Sequence, residues 1–182
     1  MQKQPGADPG EVTLFLRTLY HVRKFAGDKR MADEYLTLNL SSGGDVKIKL
    51  RPDLAPGHVA RIKELTGEGF YDGVKFHRVI PGFMAQGGCP DGTGMGGSSK
   101  PDLKAEFNNE PHVRGVCSMA RTNAPNSANG QFFICFDDAG FLDRQYTVWG
   151  NVVEGMEHVD ALPKGEPPRE PGNITKATVS EG

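Results

Sequence analysis

Phe76-His77-Arg78-Val79-Ile80-Pro81-Gly82-Phe83-Met84-Ala85-Gln86-Gly87-Gly88 reads as two short strands joined at a bend, and the reading of that stretch decides the fold. Side chains in a strand alternate between faces, so Phe76, Arg78 and Ile80 are expected on one side and His77 and Val79 on the other. Pro81-Gly82 interrupts the run, since proline supplies no ladder donor and glycine accepts unusual dihedrals. Residues 83–86 follow as a second strand on which Met84 and Gln86 face together, with Phe83 opposite unless the bend re-aims it. Arg78 is thereby set among apolar neighbours. By itself this fits an arginine snorkelling at the edge of a core as well as it fits a functional one.

Working outward, residues 35–40 and 45–50 alternate in the same way and are joined by Ser41-Ser42-Gly43-Gly44, a hairpin signal. Pro52 stops the second run. Ala55-Pro56 opens a helix with an apolar stripe of Val59, Ile62 and Leu65, ended by Gly67 and Gly69. Residues 70–73 form the turn that leads into the Arg78 strand. Beyond it, residues 115–119, 131–136 and 146–153 read as strands, the first two separated by the polar loop 121–130. Residues 154–162 form a second helix stopped at Pro163, and after a proline- and charge-rich connection residues 174–179 form a last strand that closes on the first. Many short strands, two helices and glycine-rich turns define an all-β class: a closed antiparallel barrel capped by helices.

The chain has 182 residues, enough for one domain, or one domain with an extension. With 21 Lys and Arg against 23 Asp and Glu, the formal net charge of -2 gives no electrostatic footprint for nucleic acid or an anionic membrane, so neither is expected as a partner. Cys89, Cys117 and Cys135 form no CxxC pair, which favours a reducing, cytoplasmic setting. His21, His58, His77, His112 and His158 are scattered without ligand spacing, so no metal or other cofactor is expected. Gly92-Thr93-Gly94-Met95-Gly96-Gly97 matches G-x-G-x-x-G, but Pro101 closes the segment where a nucleotide-binding helix would have to run, and the glycines read as a turn.

Residues 1–34 differ in character from the rest. Residues 12–25 carry apolar positions at 12, 15, 16, 19 and 22, but Arg17, Asp8 and Glu11 spoil a secretory signal and the run is too short to span a bilayer. A mobile extension, a partner-binding helix and a leader upstream of a start at Met31 all remain open, with residues 35–182 as the domain.

The blocks 76–88, Ser118-Met119-Ala120, Pro125-Asn126-Ser127, Gln131-Phe132-Phe133-Ile134-Cys135, Phe141-Leu142-Asp143 and Val153-Glu154-Gly155-Met156 together resemble the cyclophilin family of peptidyl-prolyl cis-trans isomerases, in order, from about residue 35 to 179. The resemblance implies an eight-stranded barrel with two helices and a site on its outer face. It implies that Arg78 is catalytic, with Gln86 and Phe83 beside it. Phe83, Met84, Phe133 and Leu142 would form a proline pocket, Gln86 and Gln131 would hold the peptide backbone, and Ala120, Arg121 and Thr122 would form a strip along the substrate. Two positions depart from the best-known eukaryotic pattern. Phe141 stands where a tryptophan often contacts cyclosporin, and Tyr146 where a histidine often lines the pocket. Both keep an aromatic ring, as in bacterial members, and weak cyclosporin binding is expected.

The implied chemistry suits these residue types. Amide resonance sets a barrier of about 18–20 kcal/mol to X-Pro rotation, and no bond need break. An isomerase must prefer the twisted amide to either planar form. Twisting returns a lone pair to the prolyl nitrogen, and arginine's rigid fork of donors can be aimed at it. Proline-containing peptides and folding or unfolded proteins are the expected partners of a monomer. The competing readings are a non-catalytic proline-binding module or holdase, and a thiol enzyme using Cys89 on an exposed glycine loop.

Overall fold

The structure is a computed structural model and describes residues 32–182; the expectations for the segment before residue 32 lie outside the described residues. The alternating runs at its start build the first hairpin. β1 (Glu34–Leu40) pairs antiparallel with β2 (Gly44–Leu50), placing Leu36, Leu38 and Leu40 beside Val46, Ile48 and Leu50 on one buried face. Gly43, at φ +82, makes the turn. α1 (Pro56–Gly67) follows, and its unpaired N-terminal amides are capped from a distance. The Glu106 carboxylate accepts from the backbone N–H of Gly57 at 2.9 Å and of His58 at 2.8 Å. Its apolar stripe of Val59, Ile62 and Leu65 enters the core as the spacing predicts.

β3 (Arg78–Ile80), β4 (Met84–Gly87), β5 (Val116–Met119), β6 (Phe132–Cys135), β7 (Val148–Glu154), the one-turn helix α2 (Met156–Asp160) and β8 (Ile174–Glu181) complete the chain. The eight strands form one antiparallel sheet in the order β3-β4-β6-β5-β7-β2-β1-β8. It curls into a half-barrel, and the two helices complete an all-β, cyclophilin-like fold. Inside lies an aromatic cluster centred on Phe132, which meets Tyr71, Phe76 and Trp149 edge-to-face at centroid distances of 5.6, 6.3 and 5.8 Å. Each such fully buried large side chain contributes roughly 1.5–3 kcal/mol.

Two expectations need correction. The barrel is open, because the end strands β3 and β8 form no ladder with each other. Residues in and just before β3 meet the chain leading into β8 through two isolated bridges, Lys75 to Asn173 and Val79 to Gly165, and scattered backbone bonds, without a continuous ladder. That segment carries Pro163, Pro167, Pro168 and Pro171, which have no N–H to extend a ladder, and β3 itself is only three residues long. Secondly, Phe76 does not share a face with Arg78. It lies in the main core with Val79, since the ladder begins only at Arg78 and Phe76 instead donates its N–H to Gly172 O at 2.9 Å. Alternation carries no information outside a ladder.

Candidate active site

Cross-strand register builds the site. Arg78 on β3 pairs with Gln86 on β4, Gln86 with Phe133 on β6, and Phe133 with Ser118 on β5. Directly opposed residues share a face, so these four side chains form one row across the outer side of the sheet. The next row is Ile80, Met84 and Cys135. Consecutive residues of β6 therefore part company: Phe132 and Ile134 enter the main core, while Phe133 and Cys135 join Met84, Ala139 and Leu142 in a separate outer cluster. Ile80, Phe83, Ala120 and Tyr146 pack around that cluster. The bend at Pro81-Gly82 does re-aim Phe83, which sits in the turn before β4 and faces this side.

Above the cluster lies a groove of about 560 Å³, a typical size for a small-molecule or peptide side-chain site. Arg78, Phe83, Met84, Gln86, Ala120, Arg121, Phe133, Leu142 and Tyr146 line it. Thr122 and Gln131 line a neighbouring cavity of about 420 Å³ instead. Phe141 borders neither. Its ring is 66% exposed and tilts against Phe83 at 5.4 Å.

Phe133 is the floor, held between His112, stacked at 6.1 Å, and Tyr146, edge-on at 5.6 Å. Behind it His112 donates from Nδ1 to Asp143 Oδ1 at 2.9 Å and accepts from Ser118 Oγ at Nε2, 3.1 Å away. Arg121 forms a wall. Its guanidinium lies 4.6 Å from the Tyr146 centroid and donates to Gln145 O at 2.9 and 2.7 Å and to Thr122 O at 2.8 Å. Those bonds use up much of its fork on protein carbonyls. Arg78 is different: Nε donates to Glu166 Oε1 at 2.7 Å, and the terminal Nη groups have no partner among the described residues.

The glutamines form a relay. Gln131 Nε2 donates to Gly94 O at 2.9 Å and Gly96 O at 2.8 Å, while its Oε1 accepts from Gln86 Nε2 at 3.1 Å. Gln131 thus fixes Gln86, whose carbonyl oxygen is left for a ligand. The glycine loop is itself wrapped around Cys89, which is fully buried. Cys89 Sγ donates to Asp91 Oδ1 at 2.9 Å and accepts from the N–H of Gly94 and Gly96 at 3.2 and 3.3 Å. Burial of Cys89 removes the exposure that the competing thiol-enzyme reading requires. Gly92 and Gly94 have φ of +70 and +83, so G-x-G-x-x-G marks a turn.

Sequence reasoning missed Glu166, Pro167, His77, Thr93 and Met95, which also line the groove. For the loop residues the glycine-rich stretch was a signal of a special turn but not of a wall. For Glu166, 88 positions from Arg78 in the chain, there was no local signal.

Burial lowers the pKa of His58, His77 and His112 below the ordinary value near 6.5, each chiefly through desolvation of the charged form. His58 Nε2 and His77 Nδ1 have no partner among the described residues, so a proton there would be buried unpaired. Between the ordinary and the lowered pKa the unfolded chain binds protons that the folded chain excludes. Stability is thus complete above about pH 6.5 and declines as the pH falls below it. The urea midpoint is expected to be lower at pH 5.5 than at pH 7.5, and equal midpoints would overturn this.

The cyclophilin type peptidyl-prolyl cis-trans isomerase/CLD family model matches residues 35–179. A probable peptidyl-prolyl cis-trans isomerase of Brucella suis biovar 1 (strain 1330) is 55% identical over 152 residues, covering 75% of this chain and 78% of that protein. Peptidyl-prolyl cis-trans isomerase B of Bacillus subtilis (strain 168) is 41% identical over 128 residues, covering 70% and 89%. The crystal structure of cyclophilin AquaCyp293 from Hirschia baltica superposes with a TM-score of 0.73 at 32% identity, covering 80% of this chain and 76% of that one. A Cryptosporidium parvum cyclophilin type peptidyl-prolyl cis-trans isomerase, in the presence of the dipeptide Ala-Pro, superposes with a TM-score of 0.75 at 26% identity, covering 81% and 99%. A half-barrel with an arginine-edged apolar groove on its outer face, matched over this span, places the chain in the cyclophilin type peptidyl-prolyl cis-trans isomerase family. Among the described residues no helix is long and apolar enough to cross a membrane.

Proposed function

We propose that residues 35–182 form an isomerase domain that accelerates X-Pro rotation in peptides and folding proteins by stabilising the twisted amide without covalent chemistry. The observation that carries this is the row Arg78–Gln86–Phe133, which sets a cationic donor edge, an amide acceptor and an apolar floor side by side. The prolyl ring enters over Phe133, Met84 and Leu142, with Phe83 at its side. Contact with these rings removes water from one face of the amide, which strengthens any hydrogen bond made there. Gln86 Oε1 accepts a peptide N–H and holds one end of the bond while the other turns. Arg78, using its free Nη edge, donates to the prolyl nitrogen, whose lone pair is available only when the amide is twisted. That bond is absent from both planar states, so it lowers the barrier and not merely the ground state.

Gln131 acts in this reading by orienting Gln86 and not by touching the peptide. Ala120, Arg121 and Thr122 flank the segment of peptide outside the groove. The dipeptide in the Cryptosporidium parvum structure supports proline as the recognised residue. Cyclosporin binds weakly at most, because exposed Phe141 offers a ring but no indole N–H. One chain supplies every group named, which favours action as a monomer, and three free buried thiols favour a reducing compartment, the cytoplasm. The test is cis-trans exchange of an Ala-Pro peptide by NMR or a protease-coupled assay. A rate proportional to enzyme concentration is expected; peptide binding without rate enhancement would leave a binding module or holdase in place of the enzyme.

A further inference from the structure

Between α2 and β8 the chain runs through Lys164-Gly165-Glu166-Pro167-Pro168, and this tongue reaches the groove. Gly165 exchanges two backbone hydrogen bonds with Val79, each 2.8 Å, which ties the tongue to β3 at the residue after Arg78. Lys164 secures it from behind, donating to Leu162 O at 2.8 Å and lying 4.9 Å from the Phe136 centroid. Gly165 has φ +149, and a Cβ there would fall 2.6 Å from Pro168 Cα, so the path allows no other residue without a shift. A segment held this firmly presents Glu166 to Arg78 in one place.

The Arg78–Glu166 pair is poorly suited to holding the fold together. The two side chains are 43% and 54% exposed, and exposed pairs of this kind add little to stability. Its geometry does something else. The carboxylate takes Nε, the donor nearest the backbone, and leaves both Nη groups free at the groove. Arginine has many rotamers, and a transition-state donor must be in place before the amide twists. We propose that Glu166 is a positioning residue that locks the Arg78 guanidinium with its Nη edge toward the prolyl nitrogen. This rests on the reading of Arg78 as the catalytic group.

Glu166→Ala is expected to lower kcat roughly three- to tenfold by releasing the guanidinium to its other rotamers, while the Kd for an Ala-Pro peptide and the thermal midpoint stay as in the wild type. Glu166→Gln keeps an oxygen acceptor for Nε and is expected to recover most of the lost rate. In an Arg78→Ala background, Glu166→Ala is expected to have no further effect, since neighbouring groups acting as a unit are non-additive. Residual rates in that background are readable by NMR exchange at high enzyme concentration. Full activity or a gain in Glu166→Ala, or the same fold loss with Arg78 already removed, would overturn the proposal. If Arg78→Ala were itself fully active, the reading of the site would fall first; loss in Arg78→Ala with none in Glu166→Ala would sink only the positioning role.

Discussion

Arg78→Ala is expected to lower kcat/KM for an Ala-Pro peptide by roughly 10²- to 10³-fold, the cost of losing one preorganised donor at a developing charge. The size follows from the site's composition. The other strong donors near the groove are already committed: Arg121 spends its fork on Gln145 and Thr122, and Gln86 Nε2 donates to Gln131. Among the described residues, no second cationic donor at the groove is free to take over a hydrogen bond to the prolyl nitrogen. The apolar floor of Phe133, Met84 and Leu142 does not depend on Arg78, so the peptide Kd is expected to change little. The loss should therefore appear in kcat, which an exchange measurement at saturating peptide separates from affinity. Arg78→Lys is expected to restore little. An ammonium cannot give one donor to Glu166 and also present a planar pair to the substrate. Equal exchange rates for Arg78→Ala and wild type would remove the catalytic assignment, whatever the fold.

What the sequence reveals about this site follows the limits of periodicity. Within a ladder, alternation places Met84 with Gln86 and separates Phe132 from Phe133. The pairing of Arg78 with Gln86, and of Gln86 with Phe133, is set by cross-strand register, which a single strand does not encode. Only the family resemblance supplied those partners in advance. Where the ladder stops, alternation misleads: it sets Phe76 beside Arg78, but residue 76 precedes β3 and its ring enters the main core. Closure of the barrel failed for a related reason. β8 does pair with β1, as its pattern suggests, but nothing in that pattern reports whether its other edge reaches β3. Glu166 and Met95 were out of reach altogether. Each is a single side chain on a loop, Glu166 brought to the groove by the Gly165–Val79 backbone bonds and Met95 by the Gln131 side chain that holds Gly94 O and Gly96 O, and no local spacing announces that.

Gly155→Ala is expected to destabilise the protein by about 2–5 kcal/mol, adding a left-handed conformation for a residue with a side chain to a backbone clash. Gly155 joins β7 to α2 at φ +83 and ψ 20, and a Cβ built there would lie 2.0 Å from Asp45 O and 3.1 Å from Val46 Cα. Those atoms are the backbone of β2, so no change of rotamer relieves the contact. β2 lies between β1 and β7, and moving its start strains both ladders. Gly43→Ala supplies the comparison. It carries almost the same φ, +82, but nothing lies within 4 Å of its Cβ, so only the conformational part, about 1–2 kcal/mol, is expected. Urea unfolding of the two variants separates the terms, and an equal loss in both would show that close approach to β2 contributes nothing. The groove is built on β3, β4, β6 and β5, away from this junction, so Gly155→Ala measured well below its lowered midpoint should isomerise at the wild-type rate. A kcat that fell with stability would mean that the junction helps set the register that carries Gln86 and Phe133 to Arg78.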